Sequence, residues 1–209
     1  MSSLGRATAG LVLVALAGRT SAMAQCPGIE NLKAPPVGGY SEYKSDRGTM
    51  RLALVGTETR GTTTYIRMEM GMTSQDGPMV MQMLVPGYPY EMSGIAEMVM
   101  QRGHEPAMRM PQQMLSMMAS RMPKDMLSEA CRNSHMTRVG EESITVPAGT
   151  FNTVHFHDAD KNSDVWISSD VPFGLVQTKG TSGGDIVLTA RGTDAKSSIT
   201  GPIQDMPMH

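Results

Sequence analysis

Apolar and polar residues alternate along much of the chain between residues 39 and 110. Met50, Leu52 and Leu54 occupy every second position of one segment. A period of two is typical of antiparallel strands that bury one face and expose the other. The same period recurs in two further segments, whose apolar positions are Ile66, Met68, Met70 and Met72, and then Met79, Met81, Met83 and Val85. The turn-forming residues 74–78 separate these two segments, so the pattern predicts a β-hairpin.

A second alternating pair follows. Met98 and Met100 precede turn-forming residues 102–105, and Met108 and Met110 come after them. Residues 91–101 also fit a helix, because Met92, Ile95 and Val99 recur at helical spacing. We favour a strand for the second half of that segment.

The period changes after Pro111. Met114, Met118 and Met122 are spaced four apart with Leu115 and Ala119 beside them, which predicts a helix with one apolar side and Pro111 in its first turn. Pro123 ends or kinks this helix, and a second short helix is predicted from Lys124 to about Cys131. Residues 111–131 therefore form a helical insertion in a chain that is otherwise rich in strands.

Strands return in the last third of the chain. They are predicted at residues 143–146, 151–157, 164–167, 175–178 and 185–191, separated by segments rich in Gly, Pro, Asp and Ser. Residues 201–209 contain two prolines and predict a flexible tail. The expected fold is mainly β (α+β): a single domain over residues 25–200 whose curved antiparallel sheet carries the helical insertion.

The first 24 residues have the features of an export signal. Arg6 precedes the short apolar stretch 9–18, and Ala22 and Ala24 form an A-x-A cleavage site. The apolar stretch is too short to span a bilayer, so no transmembrane segment is expected after cleavage. An exported chain meets an oxidising compartment, where Cys26 and Cys131 are expected to form a disulfide. The expected location is periplasmic or secreted.

The net charge of the chain and its matches to catalytic motifs limit the classes of function that the sequence supports. The net charge is −2 and charged residues make up 18% of the chain, so no basic surface for nucleic acid is expected. Residues 180–184 match G-x-S-x-G, but they lie between two predicted strands, whereas a nucleophile elbow needs a following helix. The acids at 141–142, 158, 160 and 164 are expected in turns, as solvated charges. No enzyme is predicted.

Methionine dominates the composition, with 22 residues against 9 aromatic ones. Three interpretations are open: an ordinary core in which Met replaces Leu and Ile, a cavity for an acyl chain or similar apolar ligand, or a Cu(I) or Ag(I) site made from soft thioethers. No cofactor is expected except copper under the last interpretation. The residues proposed to line a ligand cavity are Met68, Met70, Met72, Met79, Met81, Met83, Met98, Met100, Met108, Met110, Met114 and Met118.

Histidine supplies the remaining candidate metal ligands. His155 and His157 lie two apart on a predicted strand, so their side chains point the same way, and His135 and Met136 are adjacent in a predicted loop. Zinc would need further ligands, and no spacing in the chain identifies them. We favour a solvated strand face for His155 and His157, with a metal site as the alternative.

Three segments carry a resemblance to a known family. They are Val146-Pro147-Ala148-Gly149-Thr150-Phe151, Asp164-Val165-Trp166-Ile167-Ser168 and Val171-Pro172-Phe173-Gly174-Leu175-Val176. This succession resembles uncharacterised exported bacterial proteins related to the LolA-like superfamily, which includes LolA and LppX. The resemblance implies an incomplete antiparallel barrel with helices on its open side and a cavity that holds acyl chains of lipids or lipoproteins. It also implies that Trp166 is a core or rim anchor.

The leading hypothesis is therefore an exported, non-enzymatic protein with a half-barrel that binds an apolar small molecule, a lipid or a lipoprotein. The alternatives are a Cu(I)- or Ag(I)-binding protein of the exported compartment and an envelope structural module with an ordinary core.

Overall fold

A computed structural model of the protein describes residues 32–87, 94–119, 136–180 and 184–207. The expected signal segment, the Cys26–Cys131 disulfide, His135 and the second insertion helix lie outside these residues. The strands, in chain order, are β1 Tyr40–Ser45, β2 Gly48–Arg60, β3 Thr63–Ser74, β4 Gly77–Pro86, β5 Glu97–Arg102, β6 Ala107–Arg109, β7 Met136–Val146, β8 Gly149–Asp158, β9 Ser163–Ile167, β10 Leu175–Lys179, β11 Ile186–Gly192 and β12 Ile203–Asp205. The helix α1 spans Gln112–Ala119.

All twelve described strands belong to one sheet, in the order β12-β6-β5-β4-β3-β2-β1-β11-β10-β9-β8-β7. Every neighbouring pair is antiparallel except β12 and β6, which are parallel. The central strand β1 pairs with β2 on one side and with β11, far away in sequence, on the other. The expected mainly β fold with an open, curved antiparallel sheet is confirmed, and the sheet does not close into a barrel.

The predicted hairpins are present. Ser74 pairs with Gly77 at the β3–β4 turn, and Met100 pairs with Met108 across β5 and β6. The strand interpretation is confirmed for the second half of residues 91–101, because β5 begins at Glu97. β10 and β11 also pair as antiparallel neighbours, so a strand and not a helix follows residues 180–184, of which 181–183 lie outside the described residues.

The tail differs from the expectation. Ile203–Asp205 form β12, which pairs with Ala107–Arg109 of β6, so the prediction of a flexible tail is wrong for these residues. The preceding residues cross the sheet on one face. We refer to residues 194–206 as the C-terminal strap. A short polar strand next to prolines gives little local signal, and only pairing with β6 orders it.

Two large apolar clusters hold the sheet together. In the first cluster, Leu54, Val85 and Ile95 pack with buried methionines and with Leu115 of α1. In the second cluster, Tyr43, Phe151 and Trp166 pack with Val176 and Leu188, so Trp166 is a core residue. The turn after β7 reaches β11, where Ala148 N donates to Leu188 O at 3.4 Å. This contact shows how strongly the second half of the sheet curves.

In the described part of the chain, no helix is long and apolar enough to cross a membrane.

Candidate functional site

Methionines from neighbouring strands form cross-strand rows on one face of the sheet, which we call the methionine face. A row here is a set of residues that pair directly across adjacent strands. The covered row contains Leu54, Met68, Met83 and Met98; the middle row contains Leu52, Met70, Met81, Met100 and Met108; the end row contains Met50, Met72 and Met79. Directly paired residues have Cβ atoms about 5 Å apart, so the side chains of each row touch or nearly touch. The alternation along the sequence therefore becomes a continuous thioether surface.

The covered row belongs to the closed core. Met68 is 7% exposed, and Met83 and Met98 are each 2% exposed. Leu115 of α1 is 1% exposed and packs in the same cluster, with Met118 and Phe173 against it. At this row, the ordinary-core interpretation of the methionines fits the packing.

The middle and end rows are more open. Their methionines are half-buried, and none is fully enclosed. Next to the end row lies a cleft of about 230 Å³, lined by Tyr43, Met50, Met72, Ile186 and several residues of the β1–β2 hairpin. The methionine face therefore passes from a packed core at one end to an accessible apolar surface at the other.

The helix buries Leu115 and Met118 of its predicted apolar side but not Met114. Leu115 and Met118 pack inward, whereas Met114 is 46% exposed and Met117 is 60% exposed. Met114 therefore lies outside the part of α1 that packs on the sheet. A helix with methionines on several sides carries no unambiguous apolar stripe, so the contact with the sheet decides which side is buried.

The histidine pair lies in a polar cluster on three strands. His155 Nε2 is 2.8 Å and His157 Nδ1 is 2.9 Å from the same Asp164 Oδ1. The opposite ring nitrogen of His155 is 3.1 Å from Glu142 Oε1, which also accepts a 2.6 Å hydrogen bond from Trp166 Nε1. The His155 ring stacks on Trp166 with centroids 4.5 Å apart. Pairing of the consecutive strands β7, β8 and β9 brings these residues together.

This cluster corrects two expectations. The His155 side chain is only 17% exposed, so the prediction of a solvated face is wrong for it. Glu142 and Asp164 lie in strands β7 and β9 and not in turns. Both acids were expected to be surface charges because they lie at or next to the ends of predicted strands, but β7 extends back to Met136 and β7 and β9 flank β8, which places the acids beside His155.

The geometry around the histidines does not support the alternative in which they bind a metal ion. Among the residues that the structure describes, no three His, Cys, Asp or Glu side chains are arranged to hold a metal ion. Met136, expected in a loop, is the first residue of β7 and packs beside Phe156, away from His155.

Hydrogen bonds from His155 and then His157 hold the pKa of Asp164 below its ordinary value of 3.8 and outweigh the opposing effect of burial. Since the pKa is lower in the folded state, ionised Asp164 stabilises the fold at pH values above 3.8, and this contribution is lost as the pH falls through the folded-state pKa. We expect Asp164→Asn to lower Tm at pH 7 and to lower it less at about pH 3. Thermal unfolding followed by circular dichroism checks this, with Asp76→Asn in the exposed β3–β4 turn as the charge control. A Tm difference independent of pH would contradict the assignment.

A second cluster lies on the opposite face of β3–β6, which we call the strap face. The carboxylate of Glu69 is 1% exposed. Its Oε2 accepts a 2.6 Å hydrogen bond from Gln82 Nε2, and its oxygens accept Ser198 N at 3.0 and 3.1 Å. Arg51 Nη1 lies 3.4 Å from its Oε1. Glu69 therefore attaches the C-terminal strap to the middle of the sheet.

An ion network continues this face toward β12. Glu97 is paired with Arg60 and Arg67 at 3.0 Å each and with Arg109 at 3.5 Å. Arg109 also pairs with Asp205 at 3.0 Å, which ties β12 to β6. Burial raises the pKa of Glu97, but the arginines outweigh that effect and lower it overall. Arg60, Arg67 and Arg109 are all paired with acids, so the groove that they line beside Ser197 of the strap favours strap attachment over binding of an anion.

The alternation pattern did not reveal this strap-face cluster. Glu69 and Gln82 occupy the polar positions of alternating strands, and such positions are normally solvated. The only signal available was that several polar positions faced each other on predicted neighbouring strands.

No protein-family model matches the sequence, and no curated protein is similar to it in sequence. Two solved structures resemble the fold. One is a candidate lipoprotein of Parabacteroides distasonis, with a TM-score of 0.34 and 11% identity, covering 76% of this chain and 97% of that one. The other is a candidate exported protein with a YmcC-like fold from Bacteroides fragilis, with a TM-score of 0.35 and 7% identity, covering 77% of this chain and 98% of that one.

Proposed function

We propose that the protein is exported and acts without catalysis, by holding an apolar molecule such as a lipid or a lipoprotein acyl chain against the open part of the methionine face. The observation that carries this proposal is the change in burial along the face. The covered row is closed by α1, whereas the middle and end rows are half-buried, and Met50 and Met72 of the end row line an apolar cleft.

The chemistry of the face suits such a ligand. Methionine side chains are unbranched and flexible, so they can repack around acyl chains of different shape. An accessible apolar surface of this kind is otherwise unfavourable in water, and it is typical of a binding site. The export signal expected at residues 1–24 supports a location where lipids and lipoproteins are in transit.

Met72→Lys is expected to weaken binding of the fluorescent fatty acid cis-parinaric acid by about tenfold or more, because it places a charge in the apolar cleft. Fluorescence titration of the purified protein measures this Kd. Met117→Lys is the matched control, since it makes the same chemical change on the exposed side of α1, and we expect its Kd to equal that of the parent.

Native mass spectrometry of the protein from its own host provides the independent test. The expected result is co-purified lipid. Absence of lipid, together with a fatty-acid Kd that Met72→Lys leaves unchanged, would contradict the proposal.

A further inference from the structure

The middle row brings four thioethers to neighbouring positions on four strands. Met70 pairs with Met81, Met81 with Met100, and Met100 with Met108. Thioether sulfur is a soft, neutral ligand that selects Cu(I) and related soft ions over Zn²⁺, Mg²⁺ or Ca²⁺. Leu52 ends the row on β2, and the row itself contains no carboxylate or imidazole.

The spacing allows several sulfurs to reach one ion. Adjacent strands lie about 4.8 Å apart, and metal–sulfur bonds are about 2.3 Å long, so an ion between two strands is within reach of methionines on both. Met81 has a methionine partner on each side, which makes it the centre of a site with three or four sulfurs. The flexible side chains can also bend toward the ion.

Solvent exposure distinguishes the middle row from the covered row. Met70, Met81, Met100 and Met108 each keep part of their surface exposed to solvent, and Met81 also packs against the edge of the first apolar cluster. Met83 and Met98 are each 2% exposed beneath α1, where thioethers serve packing.

We propose that the middle row binds one soft monovalent ion, Cu(I) or Ag(I), through Met81 and its neighbours Met70, Met100 and Met108. The site uses the methionine face of the proposed function but needs sulfur, whereas binding of an acyl chain needs only apolar surface.

This difference defines the experiment. In the Met81→Leu/Met100→Leu variant, leucine keeps the apolar volume and removes two sulfurs. Isothermal titration of the full chain with Ag(I) is expected to show a Kd at least about tenfold weaker at one site in this variant. The control variant Met114→Leu/Met117→Leu removes two exposed sulfurs and is expected to bind Ag(I) as the parent does. The cysteines are the same in all three proteins, so a difference in Ag(I) affinity between them is due to the methionine thioethers.

NMR of ¹³C-methyl methionine in the parent chain gives a readout that needs no variant. Stoichiometric Ag(I) is expected to shift the methyl signals of the middle row and to leave those of Met114 and Met117 in place. An unchanged Kd in Met81→Leu/Met100→Leu, or shifts confined to other methionines, overturns the inference. The variant is expected to keep its cis-parinaric acid Kd, so loss of the metal site and loss of the apolar site are distinguishable.

Discussion

Replacing Glu69 by alanine is expected to lower the free energy of unfolding by about 3–5 kcal/mol and to release the C-terminal strap from the sheet. Glu69 is buried on the strap face, where Gln82, Arg51 and the backbone of Ser198 all donate to its carboxylate. Alanine would remove the acceptor that these donors share, leaving Gln82 with Ser197 Oγ and Arg51 with Glu42, and a buried donor that loses its acceptor costs more than a lost surface contact. Urea unfolding measures the change in stability.

Limited proteolysis measures release of the strap separately from the change in stability. Lys196 lies in the strap, two residues before Ser198, and is exposed. Trypsin is expected to cleave after Lys196 faster in Glu69→Ala than in the parent, because a detached segment fits a protease more easily than one held against a sheet.

Glu58→Ala is the matched control for Glu69→Ala. Glu58 also pairs with arginines on the strap face, but its side chain is 37% exposed. Exposed ion pairs contribute at most about 1 kcal/mol, so we expect a small loss of stability and unchanged cleavage at Lys196. If Glu69→Ala behaved like Glu58→Ala, Glu69 would not be the attachment point of the strap.

Met83→Ala is expected to lower the free energy of unfolding by about 2–5 kcal/mol, and Met83→Leu by less than about 1.5 kcal/mol. Met83 is 2% exposed in the covered row, between Met68 and Met98 and in the cluster closed by Leu115. Alanine would leave a cavity there, whereas leucine fills nearly the same volume. Chemical unfolding of the three proteins measures these differences.

Met117→Ala makes the same truncation on the exposed side of α1, where we expect a change within about 0.5 kcal/mol. Comparison of Met83 with Met117 therefore separates core methionines from surface ones. If the two truncations cost the same, the covered row would not be closed, and the division of the methionine face into a packed part and an open part would be wrong.

Local patterns predicted the strands well and the long-range contacts poorly. The β3–β4 and β5–β6 hairpins followed from alternation and turn residues, because both signals lie within a few residues of each other. The pairing of β1 with β11, and that of β12 with β6, joins segments more than 90 residues apart. No local preference encodes such a pairing.

The candidate site, like the fold, could be predicted from the sequence only in part. That the methionines share a face could be predicted, since side chains alternate along every strand. Which rows are closed and which stay open depends on where α1 packs, and α1 buries Leu115 while Met114 remains exposed. The Asp164 partner of His155 lies on the next predicted strand, whereas Glu69 is bound by a strap that no pattern placed next to it.

The sequence by itself thus determined the strand content, the hairpins and a methionine-rich sheet face, because backbone geometry converts a period of two directly into a face. Only the tertiary structure decided which methionines are core, which acids are buried and how the C-terminal strap is held. Burial and ion pairing depend on neighbours brought together across the whole chain, and their energies are set by that packing.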